Sequence, residues 1–454
     1  MTGRADGAPI AYGIDFGTTN SSIAVTYRDR VSVVPVERGS LAEVLPSIIY
    51  LNRDRNRAAG QEAIEQFLVT GPMKTQCSAC EHVQFFGGKR ESDCRQFRPG
   101  GNCHNARLIA GIKSDLSETD LVATHSWATD FTLPELVAVV LRRLKRDADR
   151  FTGFDVRRLV LGHPVVFVGA EGPHYEERQG TAEDRIKEAA RLAGFQEVVL
   201  LDEPSAALTG ETLPEGIAVA TDFGGGTFDV SVIKFGPDGG DVLALAGAEI
   251  GGEKFDRLLF DAKVAPALGL DREYAVGSAG HRLLPGWFRS RLSTLNGLRA
   301  LLSDKMTVST LSEYRRAPGG EILAPVDGIL YGGYAYAFYH AIEQAKISLS
   351  TEDSTRIDFQ RPGINLSIPV RRDEFEQFIA AAMDAVTECI MRALEDAGIE
   401  PEQVNLVLRT GGSSSIPAFV RILDEIFDPS VIRERPVYTT VVHGLALHAL
   451  EHWS

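Results

Sequence analysis

The sequence predicts an α/β protein of two related lobes, and three observations carry that expectation. At 454 residues the chain exceeds what one hydrophobic core usually organises. An Asp-Phe-Gly turn at positions 15 to 17 recurs at 222 to 224, each time leading into a strand, as a duplicated unit would. Around these turns, short apolar strands alternate with helical periodicities.

In chain order, a strand from Tyr12 to Phe16 enters a Gly-Thr-Thr-Asn turn and leaves as an alternating strand, Ser21 to Val25. An amphipathic helix is expected from Leu133 to Arg150, a strand from Leu159 to Leu161, a helix from Ala182 to Ala193 and a strand from Val198 to Leu201. The second copy of the turn lies between Ala220 and Ile233. The segment from about 258 to 339 reads as a mostly helical subdomain. A helix from Tyr339 to Ser348, strands around 355 to 370 and a long helix from 372 to 397 follow. Strand Asn405 to Arg409, helix Pro417 to Phe427 and helix Val441 to His452 close the chain.

Composition narrows the partners. With 44% hydrophobic and 24% charged residues the chain is ordinary for a globular protein. Lys+Arg 47 against Asp+Glu 62 gives a net charge of −15, which repels phosphate backbones and anionic bilayers, so neither nucleic acid nor membrane is an expected partner. No leader-like or membrane-spanning apolar stretch is evident, and the expected location is the cytoplasm.

The two glycine-rich turns carry the chemistry. A triphosphate needs inward-pointing backbone N–H groups, and glycine lets the chain approach closely. Gly17, Thr18, Thr19 and Asn20 form one such turn and Gly224, Gly225, Gly226 and Thr227 the other. Each follows an aspartate, Asp15 or Asp222, placed to hold the water shell of Mg²⁺. Either turn alone would read as a tight hairpin; it is the pair that points to phosphate. A third element, strand-Gly411-Gly412-Ser413 leading to Ile416 and Pro417 at a helix start, offers backbone on which a flat ring can lie.

Six motifs then occur in a familiar order: DFGTTNSSIAV (15 to 25), DEPSAAL (202 to 208), DFGGGTFDVS (222 to 231), IGGEKFD (250 to 256), EQAKISLS (343 to 350) and TGGSSSIP (410 to 417). Together they resemble the ATPase domain of the seventy-kilodalton heat-shock chaperones, most closely the short YegD-like members that stop after that domain. The resemblance implies a duplicated actin-like, ribonuclease H-like fold with a nucleotide cleft between its lobes. Lobe I would comprise 10–215 plus 430–454, with an upper subdomain at 51–114, and lobe II 216–429, with an upper subdomain at 258–400. It implies ATP or ADP with Mg²⁺ as ligands, phosphate contacts from both turns, and metal-shell roles for Asp15 and Asp222. Glu203 and Asp229 match carboxylates that order the metal or the attacking water. Lys113, in GIKSDL, is the catalytic-lysine candidate, its alternative being a solvated surface lysine. Gly251 and Gly252 match nucleotide-contacting glycines, and Glu343, Lys346 and Ser350 match ribose and adenine contacts on one helix face. Ile347 and Ser415 stand where the family places arginines that stack on adenine, a loss of about 1–2 kcal/mol, so nucleotide binding is expected to be weaker than in the family.

Cys77, Cys80, Cys94 and Cys103 crowd a segment spanning 77–104, leaving only Cys389 apart. Four thiolates in a segment poor in apolar residues suit a structural Zn²⁺ site, with His104 or His82 able to replace one of them; a thiol redox switch or unlinked cysteines are the alternatives. The chain is thus expected to be a chaperone-like ATPase that meets an unidentified protein client without the family's peptide-binding domain. A non-hydrolysing, nucleotide-gated scaffold, a carbohydrate kinase and an actin-like filament former are the other readings. Aromatic residues near 331 to 339 read as core or as an interaction surface.

Overall fold

Two five-stranded paths with one strand order organise the chain. The computed structural model describes residues 7–39, 41–52, 56–70, 106–121, 123–126, 129–170, 172, 174–209, 215–236, 239–277, 280–295, 297–298, 301, 305–332, 334–435 and 439–453. In the first sheet, β1 (Ala11–Phe16), β2 (Asn20–Thr26) and β3 (Val31–Val33) form an antiparallel meander, and β4 (Arg158–His163) and β5 (Glu197–Asp202) add in parallel beside β1. The second sheet repeats this with β6 (Gly216–Phe223), β7 (Phe228–Gly236) and β8 (Gly239–Ala248) antiparallel, and β9 (Val404–Thr410) and β10 (Ile432–Glu434) parallel beside β6. The orders β5-β4-β1-β2-β3 and β10-β9-β6-β7-β8 superimpose, so the repeated Asp-Phe-Gly turn marks a duplicated sheet.

Side-chain alternation divides each sheet into two faces. The outer face of the first, with Tyr12, Ile14 and Phe16, packs under α1 (Leu133–Thr152) and α2 (Tyr175–Ala193). Helix α1 starts on a capping box between Thr132 and Glu135, with Pro134 in its first turn, and ends at Gly153 with φ +79°. Helix α2 begins well before the expected Ala182, because its first residues are mostly exposed and give no apolar period. Strand β2, expected to alternate, is buried from Ser21 to Thr26: both of its faces are covered, and Thr26 Oγ1 donates to the Ala446 carbonyl.

The inner faces carry small residues and meet two helices. Helix α3 (Glu203–Leu208) belongs to this inner layer. Over the second sheet's outer face lie α4 (Gly252–Leu259), α6 (Arg372–Ala397) and α7 (Pro417–Ile426), in one core with Phe223, Phe228 and Val230, and α5 (Ala335–Ser348) packs on α4 and on the strand Ser354–Arg361. The closing helix α8 (Thr440–Trp453) joins α3 between the sheets: Ala11, Val160, Ala218, Ala220, Ala206, Ala207, Val441, Leu445 and Ala449 share a single cluster. Gly444 is required there, since any side chain would run into the Ala206 carbonyl. The aspartates at 15 and 222 continue the inner-face alternation to the ends of β1 and β6, so both point into the space between the sheets.

The segment expected to be mostly helical also holds a short hairpin, Glu273–Ala275 with His281–Leu283. Its tyrosines divide: Tyr274 and Tyr314 are buried and pack edge to face, whereas Tyr331 and Tyr334 are partly buried against the core. Among the described residues, no helix is long and apolar enough to cross a membrane.

Candidate nucleotide site

The two glycine turns are built alike and face one another. Gly17 N–H donates to the Asn20 carbonyl at 3.0 Å, and Gly224 N–H to the Thr227 carbonyl at 3.0 Å. A Cβ on Gly225 would lie 2.6 Å from Thr19 Oγ1, and one on Gly226 would lie 2.9 Å from Thr18 Oγ1, so only glycine permits this approach. Thr18 and Thr227 are buried.

Around the turns converge four carboxylates and one ammonium. Glu203 opens α3, whose first turn is capped by Asp202 accepting from Ser205 N–H at 2.8 Å. Lys113 rides on a short 3₁₀ turn, Ile112–Asp115, entered through Gly111 at φ +65°. Its Nζ donates to Glu203 Oε1 at 2.6 Å, both side chains being only 7% exposed, which removes the surface-lysine alternative. Asp229 accepts from Thr227 Oγ1 at 2.7 Å and from Val165 N–H at 2.9 Å, so the loop after β4 holds it. Asp222 pairs with Asp229 across β6 and β7, while at the equivalent place Asp15 pairs with Ser22.

Charge crowding shifts the pKa values of these groups. Burial and the Glu203 charge push Asp15 well above the usual carboxylate range, Lys113 opposing them. Burial, then Glu203 and Asp229, raise Asp222 to about 8. Asp229 is pushed up to about 7, chiefly by burial and Glu203. Burial would depress the Lys113 ammonium, but Glu203 and Asp15 more than offset it and raise its pKa.

A second group lies beside the second turn. Lys346 Nζ donates to the Gly252 carbonyl at 3.0 Å and to Asp256 Oδ2 at 2.8 Å. Ser413 Oγ donates to the Gly224 carbonyl at 2.9 Å, tying the third glycine element to the second turn. Gly411, at φ +88°, lies against Asp222 and the Phe223 backbone, leaving no room for a side chain. The amides at the start of α4 are engaged: Gly252 and Glu253 N–H donate to the carbonyls of Gly224 and Gly225. Gly252 and Glu253 thus brace the turn through backbone bonds, while Gly251 lies against the Gly225 backbone too closely for a side chain. Glu343 bonds to His340 Nδ1 at 3.2 Å. Ser350 lies beyond the end of α5, in a turn that Ile347 closes.

A sequence model of the family described as Hsp70 protein matches residues 11–267 and 336–449. This chain belongs to the Hsp70 family. It is similar to the chaperone protein DnaK 3 of Synechococcus sp., 27% identical over 436 residues that cover 91% of this chain and 53% of the relative. The chain therefore spans about half the length of that curated relative. The Hsp70 match skips 268–335, which includes the short hairpin and the helices Lys305–Arg316 and Ala324–Tyr331.

Ile416 is only 3% exposed and belongs to the second sheet's core as the residue preceding α7. Cys77, Cys80, Cys94 and Cys103 lie outside the described residues, as do His82 and His104. Cys389 is buried in the α6 core, as a core cysteine should be. Among the described residues, no three His, Cys, Asp or Glu side chains are gathered as a direct metal site. The sequence reading missed Asp256, the anion partner of Lys346, though it sits within the quoted IGGEKFD motif. It also missed Ser114, which no periodicity distinguishes from a surface serine.

Proposed function

We propose that this Hsp70-family chain is a chaperone-type ATPase that hydrolyses ATP to ADP in the presence of Mg²⁺, its lobes adopting different closures with the two nucleotides. The observation that carries the reading is the buried convergence of Asp15, Asp222, Asp229 and Glu203 on Lys113, between two glycine turns. Four carboxylates against one ammonium leave an excess of negative charge that suits a divalent cation held through its water shell. When bound, Mg²⁺ would neutralise phosphate charge, with Asp15 and Asp222 as its nearest protein carboxylates.

The protein's own contribution is placement. The backbone of Gly17 to Asn20 and of Gly224 to Thr227 cradles the phosphates from opposite sides. Lys113, held by Glu203, steers the attacking water, and Asp229, fixed by Thr227 and the Val165 amide, accepts from it. Lys346, Ser413 and Glu343 take the nucleoside side, with Gly411 and Gly412 as the flat surface beneath the base. The two turns come from different lobes, 10–215 with 430–454 and 216–429, so loss of the terminal phosphate releases a link between them. The segment 77–104 would hold structural zinc.

Mg²⁺-ATP turnover by the purified protein tests this, beside Asp15→Asn and Lys113→Ala. Turnover in the wild type that both variants lose supports it. Nucleotide binding without wild-type turnover would replace it by the non-hydrolysing scaffold.

A further inference from the structure

The 3₁₀ turn Ile112–Asp115 sends successive side chains in different directions, as three residues per turn requires. Lys113 reaches Glu203. Asp115 acts electrostatically on Glu253 of α4. Ser114 points between them, toward the second glycine turn: its Oγ lies 3.7 Å from where a Cβ of Gly226 would stand, and Thr18 Oγ1 lies 2.9 Å from the same point. The Ser114 hydroxyl is buried, yet among the described residues it has no hydrogen-bond partner. An orphaned buried hydroxyl costs stability, so its retention beside two phosphate-type turns calls for a partner that the protein itself does not supply.

We propose that Ser114 is a positioning residue that donates its hydroxyl to the terminal phosphate of a nucleoside triphosphate, and so distinguishes triphosphate from diphosphate. The inference rests on the nucleotide reading of this site. The backbone N–H of Ser114 is already bonded to Gly111, which leaves the hydroxyl as its free donor. Thr18 from the first turn and Gly226 from the second flank the same space, so one oxygen there would be held by both lobes and by the lysine-bearing turn together. Ser114 is then the neutral partner of Lys113, adding a directed hydrogen bond to the lysine's charge.

Calorimetric titration of the full chain with Mg²⁺-ADP and with a Mg²⁺-bound ATP analogue whose β–γ bridge cannot be cleaved tests the assignment on the wild type, Ser114→Ala and Ser114→Thr. Ser114→Ala should weaken the triphosphate analogue about tenfold or more, leave ADP unchanged, and leave the melting temperature without nucleotide unchanged or raised, because an unpaired hydroxyl has been removed. Ser114→Thr should keep the preference. Equal weakening of both nucleotides, or no change in either, would overturn the assignment while the nucleotide reading stands. Failure of the wild type to bind either nucleotide would overturn both.

Discussion

Lys113 is the only cation within hydrogen-bonding reach of Glu203 among the described residues, and removing it should have two separable consequences. Both side chains are 7% exposed, so Lys113→Ala leaves Glu203 buried beside Asp15, Asp222 and Asp229 without compensation. Breaking one partner of such a pair costs about 3–5 kcal/mol. For a unit of roughly 200 residues, each kcal/mol lowers the melting temperature by about 2–4 °C, so the lower figure corresponds to about 6–12 °C. Lys113→Met with Glu203→Gln removes both charges and should recover most of that loss, while ATP turnover stays abolished because the steering ammonium is gone. Differential scanning calorimetry without nucleotide, paired with a phosphate-release assay, reads both quantities. If Lys113→Ala melts within a degree or two of the wild type and retains turnover, the electrostatic account of the site is wrong. If the double variant is no more stable than the single one, the cost lies in lost packing around the lysine stem.

Further expectations follow from the same groups. Asp222 and Asp229, raised to about 8 and about 7, hold protons in the folded state that the unfolded chain would already have released, so metal-free stability should fall as pH rises from about 6 to 8.5. Thermal melts in chelator should show this and Mg²⁺ should flatten it; a melting temperature that climbs over that range would contradict the raised pKa values. Ile347 is 50% exposed on α5, so Ile347→Arg has room for a stacking guanidinium and, combined with Ser415→Arg, should tighten ADP by about tenfold or more in equilibrium titration. Elemental analysis of purified protein should find one zinc per chain, lost on Cys77→Ser with Cys80→Ser; a metal-free protein of unchanged stability would remove the zinc assignment.

The sequence exposed most of the fold where local pattern and tertiary role coincide. The long helix α6 begins and ends where its period and the following Gly398 place it, and the twin Asp-Phe-Gly turns announced the paired sheets. What it hid was burial on two sides. Strand β2 looked half-exposed because Ser21 and Ser22 are polar, yet Ser21 Oγ is satisfied by Ser47 Oγ at 2.8 Å inside the fold. At the site, the paired turns pointed to Asp15 and Asp222 and the family resemblance to Glu203, Asp229 and Lys113, five groups that the structure brings together. Ile416, beside a glycine turn, is buried in the second sheet's core, a packing that its glycine and serine neighbours do not reveal. Partners supplied by distant segments, such as the Val165 amide on Asp229, leave no local trace at all.

The duplication also explains why the site is asymmetric. Equivalent strands put an aspartate at the end of β1 and of β6, but the residue facing it across the hairpin is Ser22 in one copy and Asp229 in the other. The second copy therefore carries the extra carboxylate, while the first supplies the turn bearing Lys113 and the route through β5 into Glu203. On the proposed reading neither copy is competent alone: one lacks the steering ammonium and the other the accepting carboxylate. On that reading catalysis would need both copies held together, since Lys113 and Glu203 come from the first and Asp222 and Asp229 from the second.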